Sequence, residues 1–479
     1  KDSMSGTFQD IDVPPTLVSF AVDVAHDHEI ITPELKKAGN KLVWLRMEQD
    51  HYELPVYASL KDQYAKFAED IHSGKIVSAY ALDRHGIAAA VSKMAFGNGM
   101  GVKLEETIDK RELFAPAFGD LIAEVPAERL EELSISYTIL GEVTADETIS
   151  YGEMQLSLNE AVTAWKGTLE SVFPTVSEEK QKMQNIDVQP ASEKAVIENG
   201  LYRTSDIHIC THKIGQPTVF IPVFPGTNCE YDSKKAFERA GAKVITKVFK
   251  NLNAEDIRDS VAEFEKAIAQ SQMIMFPGGF SAGDEPDGSG KFITSVLMNE
   301  QIRESIEGLL ERDGLILGIC NGFQALIKSG LLPYGKFGMV TEDSPTLTKN
   351  DINRHMSKII RTRIASNKSP WLSGTNVGDI HNVAISHGEG KFVANDAMIK
   401  QLIENGQIAT QYVDLDGKPT MNGIYNPNGS IAAVEGITSP DGRILGKMGH
   451  SERMGEQIFK NVLGDYDQLI FQSGVKYFK

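Results

Sequence analysis

The chain has 479 residues, with 48 lysines and arginines against 66 aspartates and glutamates, a formal charge of −18 that excludes nucleic-acid binding as the default function. Hydrophobic residues make up 41% and charged residues 24%, an ordinary globular composition, and at roughly 150 residues per domain the length suggests about three domains. No apolar run approaches the roughly 20 residues that cross a bilayer, and three scattered cysteines exclude a disulfide framework. The expected setting is therefore cytoplasmic, with no membrane partner.

The opening residues, KDSMSGTFQDIDVPP, lack an initiator Met and read like the inside of a loop, so the chain is expected to be a piece of a longer protein. Residues 16–25 (TLVSFAVDVA) and 40–47 (NKLVWLRM) carry strand-like patterns. Apolar residues recur at helical spacing over 60–75, followed by a strand over 76–83 and a helix over 87–96. Further strands are expected over 120–126 and 135–144, and a long helix from about Leu158 to Phe173 closes this α+β region. FGNGMG (96–101) follows a helix rather than a strand, so its glycines read as a C-cap and turn, not a dinucleotide loop. The acidic pairs Glu105–Glu106 and Glu131–Glu132 read as solvated faces, and no metal site is expected.

From about 175 to 216 the sequence turns polar and irregular, which marks a linker over 176–216. Apolar strands then alternate with amphipathic helices, from TVFIPVF (218–224) through a single helix over about 292–311 to LILGIC (315–320) and NGFQALIKSG (321–330). That alternation predicts an α/β fold over 217–479, a doubly wound, mainly parallel sheet of flavodoxin-like kind, with ligands at the carboxyl ends of its strands.

The strongest local signal is Gly318–Ile319–Cys320–Asn321–Gly322, where an apolar strand runs directly into a helix. Read by residue type alone, Cys320 is a small buried hydrophobe. The strand-to-helix elbow reverses that reading: the glycines leave room around a strained apex, the sulfur sits at a helix N-terminus whose free amides and dipole stabilise negative charge, and the Asn321 amide can serve an oxyanion. Cys210 and Cys229 lack that context and are assigned no chemistry. A thiolate needs an acid/base partner and a group to orient it. His450, with Glu452 two residues on, supplies them, since positions i and i+2 of extended chain face one side. MIMFPGGFSAGDEPDGSG (273–290) runs from a buried strand into a glycine-rich loop, where amides at Gly278 and Gly279 suit an oxyanion hole; lacking GK[ST], it is not read as a phosphate loop.

Together FPGTNCEYD (224–232), PGGFSAGD (277–284), GICNGFQ (318–324), ISHGEGKF (385–392), NPNGS (426–430) and ITSPDGRILGKMGHSER (437–453) resemble the class I (triad) glutamine amidotransferase domain of the formylglycinamide ribonucleotide amidotransferase family, also called phosphoribosylformylglycinamidine synthase. The resemblance implies the large single-chain type, with a glutaminase domain over 217–479. Residues 26–175 would be an aminoimidazole ribonucleotide synthetase C-terminal-like subdomain, and residues 1–25 the end of a truncated ATP-binding subdomain. It implies Cys320, His450 and Glu452 as catalytic residues, and Gly278, Gly279, Phe280, Asn321, Gln324, His387 and Glu389 around the oxyanion and glutamine. Lys1, Asp2 and Ser3 would be a remnant of the nucleotide site. Implied partners are glutamine, formylglycinamide ribonucleotide and the missing N-terminal synthetase domains; ATP and Mg²⁺ belong to the complete ligase, and the glutaminase half-reaction needs no cofactor. Two positions depart from the family pattern: Asp83–Arg84–His85–Gly86 replaces an acidic-Gly-Gly turn, and Ser451 stands where many members have proline. A non-catalytic glutamine-binding or scaffold module, and a cysteine hydrolase of another substrate, are the competing readings.

Overall fold

The computed structural model describes residues 2–8, 11–171, 188–281, 288–455, 458–459 and 461–479. The chain divides into two units, Lys1–Val172 and Phe173–Lys479, each with its own core. In the first unit a seven-stranded sheet runs in the order Ser78–Ala81, Leu121–Val125, Lys41–Leu45, Thr138–Thr144, Gly101–Leu104, Thr148–Tyr151, Met154–Ser157. The continuous apolar run Leu42–Leu45 is explained by its two faces. Leu42 and Trp44 join the cluster that contains Val91 and Met94 of helix Gly86–Asn98, while Val43 and Leu45 join the one that contains Phe67 of helix Tyr57–His72. Gly99 ends helix Gly86–Asn98 in the left-handed region, the expected C-cap.

Several local expectations shift. The strand expected over 16–25 lies at Ile11–Val18, paired antiparallel with Asp2–Phe8, and Val22 and Val24 beyond it are exposed. The helix from Leu158 ends at Gly167, where glycine gives up the most backbone freedom per residue. Residues 188–216 are more than a linker, since they hold a hairpin, Ala195–Glu198 with Leu201–Thr204, whose buried Tyr202 donates its N–H to Ala365 O at 2.9 Å.

The second unit is built on nine strands: β1 Thr218–Val223, β2 Lys243–Val248, β3 Met273–Phe276, β4 Leu315–Ile319, β5 Met356–Ile364, β6 Ile380–His387, β7 Ile408–Tyr412, β8 Val434–Thr438 and β9 Ile444–Lys447. Their order is β2-β1-β3-β4-β9-β8-β7-β5-β6. The β2-β1, β1-β3, β3-β4 and β4-β9 pairs are parallel; the other four pairs are antiparallel. The sheet is thus half parallel rather than mainly parallel. The strand–helix alternation that imposes parallel crossovers covers α1 Glu230–Arg239, α2 Ala254–Ala269, α3 Lys291–Leu297, α4 Glu300–Glu311 and α5 Asn321–Ser329, and most later strands are joined without such helices. The expected single helix over 292–311 is two, because the Asn299 side chain accepts from the Gln301 and Ile302 amides and starts α4 afresh.

Helix α5 is buried along nearly its whole length and lies directly on β3 and β4. Gly322 makes that approach possible: a methyl there would stand 2.0 Å from Phe276 O. Gly322→Ala is therefore expected to push α5 off β3, costing about 1–3 kcal/mol as an overpacked core does, read as a lower denaturant midpoint. An unchanged midpoint would contradict the contact.

Candidate active site

Three segments leave the sheet at the carboxyl ends of β3, β4 and β9 and meet there, the position expected for a ligand in a wound sheet. Between β4 and α5 stands one residue, Cys320, so the whole reversal from strand to helix is made at its backbone. Its φ of 52° and ψ of −106° are a strained pair for a non-glycine residue, of a kind that costs about 1–3 kcal/mol and persists only when the surroundings enforce it. The Cys320 amide donates to Lys447 O at 2.9 Å and its carbonyl accepts from the Gln324 amide at 3.0 Å. The sulfur, nearly buried, lies 3.8 Å from Ser386 O near the end of β6.

Gly278, two residues beyond β3, is the point on which the reactive side chains converge. A methyl there would lie 2.7 Å from His450 Cε1, 3.1 Å from Cys229 Sγ and 3.5 Å from Cys320 Cβ. Glycine is required because the imidazole lies against the backbone itself. The loop's amides are not equivalent. Asn228 N–H donates to Gly278 O and Phe280 N–H to Gly226 O, so Phe280's amide is spent, while the Gly279 amide has no acceptor among the described residues. Gly279 is thus the loop donor left for an oxyanion, and the Phe280 side chain is half exposed.

His450 and Glu452 form a buried pair, Nδ1–H donating to Oε1 at 2.7 Å. The reason differs from the sequence argument: β9 ends at Lys447, and the two residues meet across a turn closed by the Arg453 amide on His450 O, not along an extended strand. Burial alone would lower the His450 pKa; the Glu452 charge and the nearby Cys229 and Cys320 thiols outweigh it and hold the ring well above its ordinary value. Burial would raise the Glu452 pKa, but the imidazolium holds it below its ordinary value. His450 Nε2 and Glu452 Oε2 have no hydrogen-bond partner among the described residues. A carboxylate-backed imidazolium beside a strained thiol can activate the sulfur and protonate a leaving group.

The remaining expected site residues divide. His387 closes β6 next to Ser386 and so belongs to the site; burial, with the charges of His450 and His355, pushes its pKa down to about 3, and neither ring nitrogen has a partner among the described residues. Gln324 is occupied: its Nε2 donates to Glu389 O at 2.5 Å and its Oε1 accepts from Asn321 Nδ2 at 3.0 Å, which ties α5 to the HGEG loop. Asn321 Oδ1 accepts from the Ser281 amide, and Glu389 Oε2 accepts from the Ser289 amide. These three side chains hold loops around the centre. Asp2 and Ser3 lie in strand Asp2–Phe8 of the first unit, and Lys1 falls outside the described residues.

The sequence reading missed Cys229, which it left without a role. Its Sγ is 3.8 Å from His450 Nδ1 and accepts from Arg453 Nη2 at 3.1 Å. Among the described residues Cys229, His450 and Glu452 are the three side chains that come together as possible metal ligands, within 4.8 Å, but the adjacent guanidinium opposes a cation there. It also missed Lys447, although a lysine inside the apolar strand ILGKM was a visible signal. A cavity of about 770 Å³ bordered by Asp232, Arg239, Ala384, Arg453 and Phe459 opens beside Glu452.

The pair also stabilises the fold over a defined pH window. Glu452, held below its ordinary 4.5, contributes above that pH and ceases as pH falls through its lowered value; His450, held above 6.5, contributes fully below 6.5 and ceases as pH rises through its raised value. Glu452→Gln leaves burial in command of the ring. Nitrogen NMR of the labelled His450 side chain is expected to show imidazolium at pH 7 in the wild type and neutral imidazole in the variant, and imidazolium in both would contradict the assignment.

Residues 216–478 match the model of the CobB/CobQ-like glutamine amidotransferase domain. The chain is 30% identical over 257 residues to phosphoribosylformylglycinamidine synthase subunit PurQ of Salinibacter ruber, covering 53% of this chain and 93% of the relative. It is 36% identical over 241 residues to the same subunit of Methanococcus maripaludis, covering 50% of this chain and 82% of the relative. The solved structure of PurLQS from Thermotoga maritima includes a chain that aligns in full to 55% of this one, with 26% identity and a TM-score of 0.41. Through its second unit the chain belongs to the CobB/CobQ-like glutamine amidotransferase family, as a PurQ-like member.

Proposed function

We propose that this chain is the C-terminal part of a large single-chain phosphoribosylformylglycinamidine synthase, and that its second unit hydrolyses glutamine to supply ammonia. The observation that carries the reading is the convergence on Gly278 of a strained Cys320 and an imidazole backed by Glu452 at 2.7 Å. Cys320 Sγ, as a thiolate whose proton is held on His450, attacks the side-chain amide carbon of glutamine, and the oxyanion is met by the Gly279 amide and the Asn321 amide at the start of α5. The C–N bond breaks as His450 gives its proton to departing ammonia. Water, deprotonated by His450, then cleaves the glutamyl thioester, releasing glutamate and restoring the thiolate beside the protonated imidazole.

Ammonia is the product that leaves for the synthetase site, where it converts formylglycinamide ribonucleotide to the amidine. ATP and Mg²⁺, when bound there, supply activation of the formamide oxygen. Lys1, Asp2 and Ser3 are this chain's candidate contribution to that site, and residues 26–175 are read as the aminoimidazole ribonucleotide synthetase C-terminal-like subdomain. Three unpaired cysteines, with no helix among the described residues long and apolar enough to cross a membrane, support a cytoplasmic, reducing setting.

Glutamate release from glutamine tests the reading directly. Wild type is expected to turn over, Cys320→Ala to fall to background, and His450→Ala to lose at least about 10²-fold, the scale of a missing general acid–base. Turnover that survives Cys320→Ala would overturn it.

A further inference from the structure

The segment that carries His450 and Glu452 is fixed from below by polar groups in a core that could have been apolar. Lys447, at the end of β9, and Glu435, in β8, are both fully buried, and Lys447 Nζ lies 3.2 Å from Glu435 Oε1. The same ammonium donates to Gly449 O at 2.8 Å and to Ser451 Oγ at 3.0 Å, two hydrogen bonds beside the ion pair. Glu435 Oε1 also accepts from the Gly449 amide at 2.6 Å, and its Oε2 accepts from the Thr410 hydroxyl. The Ser451 hydroxyl donates its own hydrogen bond to Gln468 Oε1 at 2.6 Å, and Gln468 Nε2 donates to Thr362 Oγ1 at 3.2 Å.

Ser451 is the residue between His450 and Glu452 and is itself buried. Among the described residues its hydroxyl is the side-chain hydrogen-bond link between the Lys447–Glu435 pair on one side and the Gln468–Thr362 pair on the other. Lys447 is also the residue whose carbonyl accepts from the Cys320 amide. One residue therefore ties the nucleophile's turn by its backbone and the imidazole's turn by its side chain. Isolated buried charges are costly, and an ion pair of this kind is retained only with its hydrogen bonds complete. A missing hydroxyl leaves Lys447 one acceptor short and Gln468 without a donor, which loosens the turn on which the acid/base pair is carried.

We propose that Ser451 is a positioning residue: its hydroxyl, held between Lys447 and Gln468, sets the orientation of the His450–Glu452 pair toward Cys320. The proposal rests on the glutaminase reading above. It accounts for a serine at this site, where a proline would restrain the turn through φ alone and leave Lys447 and Gln468 without their bridge.

The test uses the whole chain and glutamate release, with Cys320→Ala as the floor. Ser451→Ala is expected to lower kcat roughly ten- to a hundredfold, the effect of a small misplacement of a catalytic group. KM should stay within about threefold, because no glutamine contact is removed. Ser451→Thr, which keeps the hydroxyl, should recover most of kcat. Gln468→Leu removes the acceptor without touching the turn, should lower kcat in the same sense, and takes over the comparison if Ser451→Ala does not fold. A wild-type kcat in folded Ser451→Ala overturns the proposal. So does a loss that tracks a fall in unfolding temperature, with KM rising alongside and no rescue by threonine. If wild type itself releases no glutamate above the floor, the glutaminase reading fails first, and the two failures are distinguished.

Discussion

The hydrogen bond from the Cys320 amide to Lys447 O is the contact on which the rest of the site depends. It extends the parallel β4-β9 pairing one residue past the end of β4, to the place where the chain must turn into α5. Parallel pairing sets the two strand ends level, so the segments that leave them carry a thiol and an imidazole into one space. Without β9 inserted next to β4, His450 would have no defined relation to Cys320. The switch from parallel to antiparallel pairing at β9 serves the same end, because it brings β8 with Glu435 and the far strands with His387 to the same side of the centre.

Energetically the site is assembled from unfavourable parts that constrain one another. Cys320 occupies a strained backbone conformation, His450 and Glu452 are charged and buried, and Lys447 and Glu435 are charged and buried beneath them. Each alone would destabilise the fold by kilocalories. Their partners are all in the second unit, within the wound sheet and its antiparallel extension, whose apolar core includes Cys320. That arrangement suits a reaction in which charge appears briefly on sulfur, oxygen and nitrogen, since fixed groups in a poorly hydrated space respond without reorganising.

The parallel half of the sheet was legible because its apolar strands and amphipathic helices alternate without interruption from Thr218 to Ser329. The antiparallel half was not, because nothing in a strand's own composition states its direction; that follows from how it is connected. Cys320 was legible because glycines at 318 and 322 fit only an elbow. Cys229 was not, since its place beside His450 comes from a loop that returns to Gly278 by long-range bridging, from Thr227 to Gly279. The His450–Glu452 contact was anticipated for an imperfect reason, as a turn and not an extended strand makes it. Gln324, expected around the glutamine from its motif, has a side chain that holds a loop, a contact its motif does not state.

The central claim is that Cys320, and not the neighbouring Cys229, forms a covalent bond to the glutamyl group. The direct measurement is rapid acid quenching of the protein during turnover of isotopically labelled glutamine, followed by peptide mapping by mass spectrometry. A labelled glutamyl group on the Cys320 peptide alone, released by hydroxylamine as a thioester should be, is the expected result. Label on the Cys229 peptide, or glutamate formation with no labelled cysteine at any quench time, would contradict the account.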